Sequence, residues 1–254
     1  MGSVFLMRAR TSKLARWLAA SLLLPGLAGG AAATEDTGTP GPGGWEHNIG
    51  ISATRTASDG WEYGLPEGDL NFGIGERFQL LLGGSRLSLR EPGTARLDGT
   101  GAAVAGLKWR LLDHEEAGFS LAVFPQYTWT PSGSAERRGL VDRERALILP
   151  VIVGLHAENT GLYIEVGRKL SRIEGEREWA GGIKVLNQCT PRIECRVEFQ
   201  RRLVSAVAHE STASAGFKLA MNDSLLLVAG VARDVGRHTG NGALSINLGM
   251  QFVR

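Results

Sequence analysis

Cys189 and Cys195 are the two thiols of this 254-residue chain, and both stand in NQCTPRIEC. Thiols can ligate a metal or form a disulfide. A metal site needs further ligands, and no histidine lies close by in sequence. In an exported chain two cysteines more often pair, and this spacing suits a bridge that clamps the end of a hairpin. Five histidines are present: His47, His114, His156, His209 and His238. Each falls at a strand end or turn, where an exposed imidazole is the plain reading. His209-Glu210-Ser211 offers a base, an acid and a hydroxyl, but neighbours on a strand alternate faces and cannot converge. GGSR at Gly83 lacks the nucleophile-elbow pattern, and no lysine-bearing phosphate loop occurs. A barrel hydrolase would have to use His209 or His156, with no nucleophile–base–orienter set to name.

The other chemistry on offer is electrostatic. Lys108, Arg110, Glu165, Lys169, Glu178, Lys184, Arg196, Glu198 and Lys218 recur opposite apolar neighbours. Charges of both signs on one face could line a wet lumen and filter solutes. Strands must position them. The C-terminal NGALSINLGMQFVR alternates Leu244, Ile246, Leu248, Met250 and Phe252 with small or polar residues, a period of two. Similar alternation runs through Ile49–Ala53, Leu70–Ile74, Phe78–Leu82, Ala103–Leu111, Phe119–Trp129, Leu147–Leu155, Leu162–Val166, Trp179–Val185, Val197–Phe199, Ala213–Leu219 and Leu225–Val231. About twelve strands of about eight to thirteen residues result, a length that crosses a bilayer at a tilt. Short turns (GER, AENTG, MNDS) alternate with longer polar connections such as TASDGWEYGLPEG and the loop around Arg137. A soluble sandwich would alternate too, with strands nearer five or six residues. The pattern therefore predicts an all-β fold: an antiparallel up-and-down transmembrane β-barrel with its apolar side toward lipid.

The N-terminus agrees. Arg8, Arg10, Lys13 and Arg16 precede an apolar stretch from Trp17 to Leu27, and small residues follow to Ala31-Ala32-Ala33. This is the pattern of a cleaved signal peptide over residues 1–33, with the cut expected after Ala33. A retained anchor is the alternative, disfavoured by the short apolar stretch and by Pro25. The whole chain carries 28 basic and 26 acidic residues. Without the four basic residues of the leader, 24 oppose 26, a formal charge of −2. Such a balance gives no reason to expect nucleic-acid binding. Residues 34–44, TEDTGTPGPGG, read as a flexible arm that could plug a barrel. Residues 45–254 read as the barrel. The longest apolar run after the leader, SLLLVAGVA, is strand-sized.

Several stretches resemble the outer-membrane proteins named for the meta pathway of phenol degradation. They are LPEGDLNFGIGERFQLLLGG, GAAVAGLKWRLLDHEEAGFSLAVFPQYTWTPSG, the LP of ALILPVIVGL, LYIEVGRKL with EWAGGIKV, and FKLAMNDSLLLVAGVARDV. Together they run from about Leu65 to Phe252. The resemblance implies a bacterial outer-membrane β-barrel that moves small hydrophobic or aromatic compounds, with no cofactor and no catalytic motif. The implied partners are outer-membrane lipid, the barrel-assembly machinery and a small aromatic solute. Two features depart from the usual outer-membrane pattern. Val253 and Arg254 follow Phe252, where such barrels commonly end on an aromatic. Aromatic residues make up only 7% of the chain, so Trp109, Trp129, Trp179, Tyr127 and Phe217 would form a partial belt. The competing readings are a structural or adhesion barrel using the loop around Arg137, a barrel enzyme, and a soluble periplasmic β-protein.

Overall fold

The structure, a computed structural model, describes residues 33–143, 145–171, 177–204, 210–236 and 243–254. The leader up to residue 32, His209 and His238 lie outside the described residues.

The chain forms thirteen strand segments: β1 (Trp45–Arg55), β2 (Trp61–Ile74), β3 (Phe78–Arg90), β4 (Leu97–His114), β5 (Phe119–Val123), β6 (Gln126–Trp129), β7 (Arg145–Ala157), β8 (Thr160–Ser171), β9 (Arg177–Thr190), β10 (Ile193–Val204), β11 (Glu210–Asn222), β12 (Leu225–Asp234) and β13 (Leu244–Val253). Each pairs antiparallel with its sequence neighbours, save at β5 and β6, and β1 pairs with β13 from Glu46↔Val253 to Thr54↔Ser245. The sheet therefore closes on itself and leaves no edge, the condition lipid imposes on a β structure.

β5 and β6 are two halves of one stave. Both lie between β4 and β7, with Val123 opposite Val151 and Gln126 opposite Ile148. The sequence reads as one continuous strand here, but Pro125 has no N–H to give to the ladder. The wall is bridged instead by Phe124 N–H to the Pro150 carbonyl (3.1 Å) and Leu107 N–H to the Pro125 carbonyl (3.0 Å). Counted as staves, the barrel has twelve.

The alternation sorts as the last strand suggests. Ile246, Leu248 and Met250 stand 44–50% exposed on the outer surface, while Gln251 is 1% exposed within. Leu70, Leu82, Leu107, Val166, Ile183 and Val197 join the outer apolar band. Aromatic residues mark both ends of that band. Phe78 stacks on Trp109 at one end; Trp61 on Tyr63 and Tyr127 on Trp129 stack at the other, where Trp179 also lies. Such girdles sit at the two headgroup levels.

The two rims differ. Trp45, Arg254 and the turns 75–77, 115–118, 158–159, 191–192 and 223–224 share one rim. The opposite rim carries the longer connections, including a short helix α1 (Gly133–Arg137). In outer-membrane barrels the short-turn rim is the periplasmic one, and the short-turn rim of this barrel takes that name. Cys189 and Cys195 form a disulfide beside the turn 191–192, with Cα atoms 5.9 Å apart. The ladder already holds this hairpin end, so the bridge adds only local restraint. Cys189→Ser is expected to cost at most about 2 kcal/mol, read as a small shift of the urea midpoint with the barrel still folded.

A charged lumen occupied from both rims

The predicted lumen residues all project from the inward-facing positions of their strands. Lys108 is 0% exposed on β4, Lys184 3% on β9 and Lys218 2% on β11. Glu178, Glu198 and Glu194 are similarly buried on β9 and β10, while Arg110, Glu165, Lys169 and Arg196 are partly buried. They do not form one cluster. Glu178 pairs with Arg202 toward the outer rim, Lys218 with Glu194 (3.6 Å) toward the periplasmic rim, and Arg110 with Asp113 (2.9 Å). Lys108, Lys184, Glu165 and Glu198 are brought together in the middle.

What brings them together is the segment 34–44, which differs from the flexible arm its composition suggests. Starting from β1 at the periplasmic rim, it runs backward into the barrel. Thr34, Glu35, Asp36 and Thr37 are 0–3% exposed. Lys108 Nζ donates to Glu35 Oε2 (3.2 Å) and to the Gly38 carbonyl (3.3 Å). The same ammonium lies 3.8 Å from Asp36 Oδ1, and Lys184 Nζ lies 4.0 Å from Asp36 Oδ2. Glu35 N–H donates to Glu165 Oε2 (2.7 Å), and Thr34 N–H donates to the Glu198 carboxylate. Thr37 and Ser120 share a hydroxyl hydrogen bond (2.6 Å), and Thr39 Oγ1 donates to the Glu76 carbonyl (3.1 Å). Burying charge costs several kcal/mol per ion unless it is paired and hydrogen-bonded, and the arm supplies those partners.

Two glycines make room for it. A Cβ on Gly73 would stand 1.8 Å from the Gly41 carbonyl oxygen, and one on Gly182 would stand 1.9 Å from Thr34 Oγ1. Gly73→Ala must displace backbone, whereas Gly182→Ala can be relieved in part by turning a threonine. Overpacking of this kind costs roughly 1–3 kcal/mol. Gly73→Ala is therefore expected to shift the balance from seated to unseated arm roughly 5–150-fold, and Gly182→Ala less, both read as single-channel conductance of reconstituted protein.

Below the arm lies a polar network that sequence reasoning did not single out as a site. Asn48 and Asn71 both donate to Asp69 Oδ1 (2.8 and 2.6 Å), Gln79 to Asn71 (2.6 Å), and Gln251 to Glu46 (2.9 Å). Its only sequence signal is position: each lies opposite an apolar residue on its strand. Beside it on the same wall, Leu81 (paired with Asn71 across β2 and β3), Val104, Ala122, Phe124 and Ile152 form a buried apolar patch. Lys108 Nζ sits 4.9 Å from the Phe124 ring centroid, joining this patch to the arm's carboxylates.

At the outer rim the loop carrying α1 folds inward. Ala135 (0% exposed) and Leu140 (5%) pack on Leu87 (1%), and Arg138 Nη2 donates to the Asp98 carbonyl (2.7 Å). The loop around Arg137 thus contributes buried contacts inside the mouth.

Ser120 Oγ also lies 3.0 Å from His156 Nε2. The second partner of that hydroxyl is Thr37, and His156 meets Tyr163 edge-on. This pair lacks a carboxylate orienting the imidazole among the described contacts, so it does not make a triad. Among the described residues no group of His, Cys, Asp or Glu is arranged to hold a metal.

The fold is that of outer-membrane porin-like barrels. An outer-membrane channel from Pseudomonas putida F1 superposes with a TM-score of 0.62 at 14% identity, covering 86% of this chain and 98% of that one. The NanC porin gives 0.61 at 6% identity, covering 81% and 98%. The KdgM porin in complex with disordered oligogalacturonate gives 0.58 at 7%, covering 82% and 98%. No protein-family model and no curated protein matches the sequence.

Proposed function

We propose that the chain is a passive channel of the bacterial outer membrane for small aromatic compounds, akin to the barrels named for phenol degradation, and that its own N-terminal arm holds it shut. The observation that carries the reading is the seat of the arm: Glu35 and Asp36 lie against Lys108 and Lys184 within an outwardly apolar barrel. When the arm leaves, two ammonium groups face the lumen, that of Lys108 beside the Leu81–Phe124–Ile152 patch. An aromatic ring with a carboxylate satisfies both surfaces, the ring on the apolar patch and the carboxylate on Lys108. Benzoate is thus favoured over neutral phenol, and both over a sugar of similar size.

The test is flux into liposomes holding the purified protein, with residues 34–39 present or deleted. Benzoate entry that rises on deletion and exceeds sugar entry supports the reading. A barrel that passes none of these solutes even without the arm is a structural barrel, and the channel reading falls.

A further inference from the structure

The direction of the arm raises a problem of topology. Its root, at Gly44 and Trp45, is at the periplasmic rim, and Gly44 N–H and Trp45 N–H bond to the Gly41 and Arg254 carbonyls there. Its tip, Thr34, lies in the middle of the lumen against Gly182, Glu198 and Gln200 on β9 and β10. Any residue before Thr34 starts from inside the barrel. A leader still attached would have to leave through the outer mouth, past the loop packed on Leu87, or double back beside the arm.

The groups around the tip suit an end of the chain. Thr34 N donates to the Glu198 carboxylate, which also accepts from Gln200 Nε2 (2.6 Å), and the next nitrogen, that of Glu35, donates to Glu165 (2.7 Å). Two carboxylates thus meet the first two backbone nitrogens of the arm. Glu35 and Asp36 add two more acids, and Lys108 and Lys184 contact those two. Lys184 stands opposite Glu198 in the ladder; a neutral amide at Thr34 adds only an uncharged donor to that carboxylate, whereas an ammonium adds a second cation bonded directly to it.

We infer that the Ala33–Thr34 bond is cut on export and that the new amino group of Thr34, held by Glu198 inside the barrel, is the terminal anchor of the arm. The step is a hydrolysis by an exported-protein signal peptidase. Water adds across the amide, Ala33 leaves with a carboxylate, and Thr34 keeps a protonated amine. The small residues Ala31 and Ala33 fit such a cut. Processing then completes the site rather than merely freeing the protein. The inference rests on the arm being seated as described, and its readouts do not depend on solute flux.

The full chain should be expressed with its leader and purified from outer membranes. Its intact mass is expected to fit residues 34–254 with one disulfide; any other N-terminus overturns the inference. A pyridine carboxaldehyde selective for terminal amines should then label the folded protein at least about tenfold more slowly than the urea-unfolded chain, because a buried terminus reacts only on local opening. Equal rates overturn it. In Glu198→Gln, checked for heat-modifiable mobility as evidence of folding, labelling is expected to speed up several-fold; an unchanged rate overturns the role of Glu198. A barrel that conducts nothing but passes these tests refutes the channel and keeps the anchor. A conducting barrel that fails them does the reverse.

Discussion

Replacing both acids of the arm, Glu35→Gln with Asp36→Asn, should turn a mostly closed barrel into a mostly open one. Lys108 is 0% and Lys184 3% exposed, and Glu35 and Asp36 are their charge partners in the seated arm. Removing one side of a buried ion pair costs about 3–5 kcal/mol where the remaining charge loses its compensation, and the lower end applies here because Glu198 still stands opposite Lys184. That cost falls on the seated state alone. Once the arm is out, water solvates both lysines. At about 1.4 kcal/mol per decade, the ratio of open to closed barrels should rise at least roughly a hundredfold. Single-channel recordings measure the ratio directly. Unchanged closure would mean that the hydroxyl and backbone contacts of Thr34, Thr37 and Thr39 hold the arm by themselves, and the electrostatic account of closure would fail.

The second large effect concerns the outer face. Leu248 lies midway along β13, opposite Ile51 and Ala229, and is 47% exposed on the apolar band. Leu248→Arg places a guanidinium in hydrocarbon and should destabilise the barrel by about 2–4 kcal/mol. Gln251→Arg, inward on the same strand, is the control. It meets Glu46 and should be far better tolerated. Urea midpoints of refolded protein in lipid vesicles decide the matter. If Leu248→Arg were neutral, the alternation of the last strand would face water on both sides, and the transmembrane reading would fail.

The barrel was legible because a period of two is a local property. Ile246, Leu248 and Met250 reveal their face from their spacing alone, and Lys108, Lys184, Glu198 and Lys218 reveal the opposite face in the same way. Where a local rule was broken, the reading slipped. Pro125 divides a stave that the run Phe119–Trp129 suggests is continuous, since apolar spacing says nothing about a missing N–H donor.

The arm was legible in a weaker sense. TEDTGTPGPGG has neither periodicity nor apolar residues, so its composition fits a loose tail and its place as a plug was only one option. Its order comes from partners distant in sequence: Lys108 on β4, Ser120 on β5, Glu165 on β8, Glu198 on β10. No window of the sequence contains both halves of any of these contacts. Charge could have hinted at them, because Glu35-Asp36 follows the expected cleavage point in a chain whose inner face carries lysines.

The seam between β1 and β13 has a consequence for how the molecule is made. All other neighbouring staves are joined by a single connection, so their pairing closes small loops. The seam joins residues about two hundred positions apart, and bringing such ends together costs about 5 kcal/mol of chain entropy. Until the last strand arrives, the growing sheet has two raw edges, and these are the hazard in any unfinished β structure. The arm's contacts come from strands on opposite sides of the ring, from Gly73 on β2 to Glu198 on β10. They are complete only when the ring is. A seated arm and a closed seam therefore belong to the same stage of assembly, and neither is finished without the other.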